Sequence, residues 1–300
     1  MRGWWQEIAG LVLPGVCEGC GAPGSGLCPG CGEVLAGGGA GEGEGPPGTS
    51  PGRVRPSPEP PGLPVVHAAV PYEGAVRALL IAHKERGALG LAGALGGALA
   101  RAVEAAVGAP EEAAEEAAGA VGAFEGAREG ACGGRRAGPL LLVPVPSSRR
   151  SVRARGHDPT RRLALAAAGR LRRAGRPARV LPVLRQGRAV ADQAGLGARG
   201  RRANLAGALE VVPGGARLLA AGRVVLVDDL MTTGATLAEA ARALGAVHHP
   251  FIPRTPTGIG GDSAQHEFEQ RVAAVIASSP ASFEINRNSS ETWIVAGGER

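Results

Sequence analysis

The chain has 300 residues, enough for one large or two modest domains, and a formal net charge of +6 that favours anionic or phosphorylated partners. Glycine contributes 50 residues and aromatic side chains only 3%, so much of the chain is not core. We expect no membrane span, because no apolar run reaches about 18 residues, and no secretory signal. These features predict a cytoplasmic protein with reduced thiols.

Two pairs of cysteines near the amino terminus have the spacing of a metal site. Cys17 and Cys20 form one Cys-x-x-Cys pair, and Cys28 and Cys31 form the second after seven residues. Four thiolates at this spacing can close tetrahedrally around Zn²⁺, and such a closed site is structural because no position is left for a substrate. Residues 14–35 are too short to fold without the metal. The alternative is two disulfides, which a reducing cytoplasm disfavours.

Residues 36–64 consist almost entirely of Gly, Pro, Ser and Glu, so they predict a flexible linker after this zinc knuckle, residues 14–35. The main domain is predicted over residues 65–246. It opens with a strand and one or two helices that contain Lys84, the only lysine of the chain. Lys84 is either a solvated helix end or a ligand contact. Residues 104–138 are low in complexity and predict an insertion.

The rest of the main domain alternates strands and helices. A strand is predicted over residues 139–146, and Asp158 then provides a helix N-cap before Pro159. A second strand is predicted over residues 180–184, followed by a long polar loop. Residues 224–227 are an apolar, β-branched run that is typical of a central parallel strand. The alternation predicts an α/β fold with a parallel sheet.

Two adjacent carboxylates, Asp228 and Asp229, follow this apolar run and lead into a small, hydroxyl-rich turn before a helix. The residues of the turn are Thr232, Thr233, Gly234, Ala235 and Thr236. Backbone N–H groups at such a turn can hold a phosphate, whereas carboxylates accept hydrogen bonds from paired ribose hydroxyls. The stretch therefore predicts a ribose 5-phosphate site at a strand's carboxyl end. The competing interpretation is an ordinary strand-to-helix turn that happens to hold two acids.

The stretch over residues 224–236 resembles the phosphoribosyl-pyrophosphate (PRPP) motif of type I phosphoribosyltransferases. Three other features resemble the ComF family: the Val-Pro-Val-Pro run at 143–146 with the arginine-rich segment up to 158, the polar segment at 192–205, and the zinc knuckle. The resemblance covers about residues 14–35 and 65–246. It implies a parallel-sheet phosphoribosyltransferase type I fold preceded by a four-cysteine zinc knuckle.

The resemblance also implies roles for individual residues. Asp228 and Asp229 would hold the ribose hydroxyls, directly or through Mg²⁺ that is bound mainly by pyrophosphate oxygens and water. The turn from Thr232 to Thr236 would hold the 5-phosphate. Arg149 and Arg150, just past a strand end, would hold the pyrophosphate with bidentate contacts. PRPP, or a ligand like ribose 5-phosphate, is the expected partner.

Three classes of function fit these motifs. The first is an enzyme that transfers phosphoribosyl groups to an acceptor that no motif identifies. The second is a catalytically inactive PRPP-binding regulator, and turnover of PRPP separates it from the first. The third is a competence factor that binds single-stranded DNA or competence proteins, since some ComF proteins are linked to DNA uptake. A steep salt dependence of DNA affinity would support the third class, but the knuckle has few aromatic side chains for stacking bases.

Residues 247–300 differ in amino-acid composition from the rest of the chain, because Phe, Ile, Asn, Ser and His become common. The family continues with one more apolar strand, and this segment does not match it. We predict a divergent or frameshifted tail with a helix over residues 267–276 that adds little to the core. Truncation near Pro250 is then expected to leave the melting temperature nearly unchanged.

Overall fold

The computed structural model describes residues 15–38, 50–108, 138–188, 198–248 and 272–287. The strands in these ranges are β1 (Gly52–Val54), β2 (Val65–Pro71), β3 (Leu140–Pro144), β4 (Ala178–Val180), β5 (Leu184–Gln186), β6 (Leu209–Val211), β7 (Arg223–Met231) and β8 (Val272–Ser278). The α-helices are α1 (Pro29–Leu35), α2 (Gly74–Glu85), α3 (Ala92–Gly108), α4 (Arg149–Arg155), α5 (Pro159–Arg173), α6 (Ala198–Leu205), α7 (Gly215–Leu219), α8 (Ala235–His248) and α9 (Pro280–Arg287).

Six strands form one sheet in the order β1-β2-β8-β7-β3-β4, and β5 and β6 form a separate antiparallel pair. β1 pairs antiparallel with β2 at one edge, whereas the other five strands run parallel to one another. Parallel strands are covered on both faces, which explains the continuous apolar runs in β3, β7 and β8. The predicted α/β fold with a mostly parallel sheet is confirmed.

Helices cover both faces of the sheet. On one face, α2, α3 and α5 bury leucines such as Leu79, Leu99 and Leu171, and on the other face α7 and α8 bury Leu219 and Leu237. The helices α3 and α5 approach very closely. A Cβ atom on Gly96 would lie 2.4 Å from Cβ of Ala166, so this crossing requires a glycine.

The segment Leu89–Gly108, which includes α3, is long and apolar enough to cross a membrane by length and composition alone. In the fold, α3 packs against β2, β8 and α5. Leu95, Leu99 and Val103 are fully buried there. This position in the core accounts for the apolar composition of the helix.

The predictions for the carboxyl-terminal segment are wrong. Val272–Ser278 forms strand β8 at the centre of the sheet, between β2 and β7. The helix predicted over residues 267–276 is therefore wrong for this stretch. Five successive residues, 273–277, are fully buried. Truncation near Pro250 would remove this strand, so the expectation of an unchanged melting temperature is also wrong. An apolar run without alternation suits a helix or a doubly covered strand equally well, so periodicity could not identify it.

Several predicted boundaries also need correction. The linker over residues 36–64 contains β1, and its Val54 is buried in the core. The single strand predicted over 180–184 is replaced by the short strands β4 and β5. The long polar loop predicted after this strand includes part of β5 and most of α6. Residues 109–137 of the predicted insertion lie outside the described residues. The helix capped by Asp158 is confirmed, since the Arg161 N–H donates to its side chain.

The position of β8 predicts a large effect of Ile276→Ala on stability. The side chain is fully buried, so its truncation leaves a cavity and is expected to lower the free energy of unfolding by roughly 2–5 kcal/mol. The control is Leu165→Ala on the exposed side of α5, for which we expect a change within about 0.5 kcal/mol. Urea unfolding followed by circular dichroism measures both. Equally small losses would contradict a buried central strand.

Candidate functional site

The acid pair lies within β7, not after its end. β7 continues to Met231, because β8 pairs with it as far as Met231 and Ser278. On the other side, β3 stops pairing at Pro144 and Val227, and the last bond runs from the Val145 N–H to the Val227 carbonyl at 2.9 Å. From Asp228 onward, β7 therefore has a strand neighbour on one side only.

The direction in which successive strands are added to the sheet reverses between β3 and β7. From β3 the chain moves outward to β4, and it later returns to β7 on the opposite side of β3 and continues to β8. In open α/β sheets, ligands bind in the crevice at the carboxyl ends of strands where this reversal occurs. Asp228 and Asp229 lie on β7 at this edge. Arg149 and Arg150 begin α4 shortly after β3, so the topology brings both predicted groups to the same edge of the sheet.

A lysine of the same chain forms an ion pair with the acid pair. Lys84, at the end of α2, donates a hydrogen bond of 2.7 Å from Nζ to Oδ2 of buried Asp229. The Asp229 backbone N–H donates to Oδ1 of Asp228 at 2.8 Å. Burial and the charge of Asp229 raise the pKa of Asp228 well above its usual value. Burial alone would lower the pKa of Lys84, but the two carboxylates raise it, so the side chain is an ammonium ion.

The hydroxyl-rich turn follows β7 directly and starts α8. Thr232 is exposed, Thr233 and Thr236 are half-buried, and Gly234 and Ala235 are buried. Gly234 has φ of +70°, and a Cβ atom there would lie 2.9 Å from Cδ1 of Leu63. Both facts require glycine at this position. The first backbone N–H groups of α8 have no partners within the helix, which is the property that suits a helix N-terminus to an anion.

The end of α2 contacts three other parts of the chain: the knuckle, β7, and the residues at and just after the end of α4. Residues 83–86, which we call the contact segment, each touch a different residue. The pairs are His83 with His157, Lys84 with Asp229, Glu85 with Arg155, and Arg86 with Glu18. The sequence is compatible with two roles for Lys84, a solvated helix end and a ligand contact. Its uniqueness was visible, but its partner lies 145 residues away in sequence, and no local pattern connects the two.

His83 of this segment and its neighbour His157 have ring nitrogens without hydrogen-bond partners among the described residues. His83 is fully buried, and neither of its ring nitrogens has a hydrogen-bond partner among the described residues. His157 Nδ1 lies 3.1 Å from the Arg155 carbonyl, while its Nε2 is buried without such a partner. Burial and the neighbouring His157 lower the pKa of His83 to about 4. His83 is therefore neutral at pH 7.

The other residues with predicted roles are Arg149, Arg150 and the polar segment at 192–205. Arg149 and Arg150 form the first turn of α4, after an N-cap in which Ser148 Oγ accepts a hydrogen bond from the Ser151 N–H at 3.0 Å. Arg150 is exposed. Residues 192–197, part of the polar segment at 192–205, lie outside the described residues.

The four amino-terminal cysteines converge as their spacing predicts. The Sγ atoms of Cys17, Cys20, Cys28 and Cys31 all lie within 4.8 Å of one another, and these cysteines form no disulfide. A tetrahedral zinc site with Zn–S bonds of about 2.3 Å separates its sulfurs by roughly 3.8 Å. The cluster could therefore bind a metal ion such as zinc.

The electrostatics of the cluster favour a bound cation. Burial raises the pKa of Cys17, but hydrogen bonds from the backbone N–H groups of Cys28, Cys20 and Gly19 outweigh it and lower the pKa to about 6. Burial and the neighbouring cysteines raise the pKa of Cys31. Thiolates this close together repel one another, and a bound cation would offset that repulsion.

The knuckle is part of the main core. Cys17, Cys31 and Leu35 belong to the same apolar cluster as α2 and α3. A Cβ atom on Gly19 would lie 2.8 Å from Cys31 Sγ and 3.3 Å from Cβ of Ala75 in the first turn of α2. The cluster therefore packs directly against the helix that ends in the contact segment.

No family model matches this chain, and a search of the curated proteins finds no relative either. The resemblance to the ComF family consequently depends on the motifs quoted above.

The cysteine cluster predicts about one zinc ion per chain in protein purified under reducing conditions. Cys20→Ser is expected to lower the metal content, because three thiolates close a tetrahedron incompletely. The matched control is Cys132→Ser, which changes the fifth cysteine and is expected to keep the metal. Elemental analysis by mass spectrometry measures the ratio. Folded protein with no metal and four freely reactive thiols would contradict a metal site.

The buried, neutral His83 predicts a loss of stability on acidification. Between pH 6.5 and 4 the unfolded chain binds a proton that folded His83 does not, so the free energy of unfolding falls by at most roughly 3 kcal/mol. Asp228 acts in the opposite direction, because its raised pKa favours proton uptake by the folded state. His83→Leu removes only the histidine contribution. Urea unfolding at pH 6.5 and 4.5 should show a smaller loss for this variant, and equal losses would contradict a neutral buried His83.

Proposed function

We propose that this chain is a PRPP-binding phosphoribosyltransferase of the ComF type. One observation carries the proposal. Two adjacent carboxylates and a hydroxyl-rich turn occupy the carboxyl end of β7, where the direction in which strands are added to the parallel sheet reverses. Ligands of open α/β sheets bind at this place. A ribose phosphate needs acceptors for its hydroxyls and donors for its phosphate, and this stretch offers both.

The turn is proposed to hold the 5-phosphate. Thr233 and Thr236 carry hydroxyl donors, and the unpaired N–H groups at the start of α8 add backbone donors and the positive end of the helix dipole. Gly234 is packed against Leu63, which brings the segment before β2 over the turn. That segment would limit the access of water to a bound phosphate.

The acid pair is proposed to hold the ribose. Transfer breaks the bond between ribose C1 and pyrophosphate, which leaves with the bonding electrons, while an acceptor forms the new bond to C1. Positive charge develops on the ribose in the transition state, and carboxylates fixed beside the ring hydroxyls stabilise it. Asp229 is fixed by its hydrogen bond from Lys84, so little reorganisation is needed during the reaction.

The segment after β3 is proposed to hold the pyrophosphate. Arg149 and Arg150 start α4 at the same edge of the sheet as the acid pair. Guanidinium groups bind phosphate oxygens in bidentate fashion. Mg²⁺, bound mainly by pyrophosphate oxygens and water, would offset the negative charge of the leaving group.

This assignment predicts binding of PRPP in the presence of Mg²⁺. Thr233→Val keeps the shape of the side chain but removes a hydrogen bond to a charged group, worth roughly 1.5–3 kcal/mol, or about ten- to a hundredfold in affinity. Because PRPP and ribose 5-phosphate share the 5-phosphate, both should bind more weakly. Arg149→Ala should weaken PRPP alone, since ribose 5-phosphate has no pyrophosphate. Isothermal titration calorimetry measures each affinity.

The same titrations separate the possible outcomes. No PRPP binding by the wild-type protein would overturn the proposal. Equal losses for both ligands in Arg149→Ala would refute its pyrophosphate contact. PRPP binding without pyrophosphate release across a panel of nitrogen-base acceptors would identify the chain as a PRPP-binding regulator.

A further inference from the structure

Lys84 is the only lysine of the chain, and its partner is a carboxylate of the candidate site. The two sides of this ion pair differ in exposure. The Asp229 side chain is 5% exposed, whereas the Lys84 side chain is 36% exposed. Within this ion pair, Lys84 is therefore the more accessible partner.

The ammonium group has unused hydrogen-bonding capacity. An ammonium carries three N–H donors, and the described residues supply one acceptor, Oδ2 of Asp229. Asp228 adds negative charge nearby without a hydrogen bond to Nζ. Two donors thus remain for water or for an anionic ligand.

The neighbouring cation is already paired. Arg155 donates two hydrogen bonds to Glu85, at 3.1 Å from Nε and 2.8 Å from Nη2. This bidentate pair uses the geometry that a guanidinium would otherwise offer to a phosphate. Among the described cations of the contact segment and its partners, Lys84 is the one beside the acid pair with donors to spare.

We propose that Lys84 is a ligand-binding residue whose ammonium group bridges Asp229 and an oxygen of the bound pyrophosphate. The proposal rests on the proposed function and assigns a further contact in the same site. Asp229 holds Nζ in place, and the free N–H donors bind the group that leaves from ribose C1. The bridge brings the leaving group's negative charge next to the carboxylate that holds the ribose hydroxyls, with the ammonium between them.

Two substitutions separate this role from simple structural support. Lys84→Gln removes the charge but keeps an N–H donor for Asp229 on a side chain one atom shorter, and Lys84→Arg keeps the charge. We expect Lys84→Gln to weaken PRPP binding by about tenfold or more while changing ribose 5-phosphate affinity much less, and Lys84→Arg to recover part of the loss. Calorimetry on protein shown to be folded by circular dichroism gives both affinities. Equal effects on the two ligands, or unchanged PRPP affinity in folded Lys84→Gln, would overturn the proposal.

The single lysine allows a test that does not require PRPP as the natural ligand. Trinitrobenzenesulfonate modifies uncharged amines, and mass spectrometry compares Lys84 with the α-amino group as an internal reference. Inorganic pyrophosphate with Mg²⁺ is expected to slow modification of Lys84 several-fold relative to the reference, and inorganic phosphate to slow it less. Equal slowing of both amines would overturn the role of Lys84. If pyrophosphate protects Lys84 but PRPP does not bind, the proposed function fails and the anion contact stands.

Discussion

A buried carboxylate near the carboxyl end of a central strand needs a partner, and here the partner comes from the end of α2. Asp229 is almost completely enclosed, and an unpaired charge there would cost several kcal/mol. Lys84 supplies the opposite charge at 2.7 Å and thereby fixes the end of α2 relative to β7. The ion pair constrains the fold and the candidate site together, because the carboxylate that would hold a ribose also holds a helix.

The rest of the contact segment extends this constraint to the knuckle. Arg86 pairs with Glu18 at 2.6 Å, and Arg101 of α3 donates to the Leu35 carbonyl at the end of α1. Together with the packing of Gly19 against α2, these contacts join the cysteine cluster to the helix that presents Lys84. A metal ion in the cluster would stabilise the knuckle, and through these contacts it would also restrain one side of the candidate site.

Local features and the class of the sheet could be predicted from the sequence, whereas individual long-range contacts could not. The cysteine spacing, the helix capped by Asp158, and the strand, turn and helix around the acid pair are encoded within short windows. The partner of Lys84 and the packing of the knuckle depend on residues distant in the chain. The true end of β7 at Met231 depends on β8 as its neighbour, and the Ala-Ala-Val-Ile-Ala run of β8 has no alternation that would distinguish a strand from a helix.

The place of β8 also sets the order in which the protein can assemble during translation. β8 inserts between β2 and β7, so the two halves of the sheet have no common neighbour until residues 272–278 leave the ribosome. Until then, β2 and β7 each present an open, apolar edge, the kind of surface that pairs with other chains. Chaperones that protect unpaired strand edges should therefore matter more for this protein than for one whose central strands come early in the sequence.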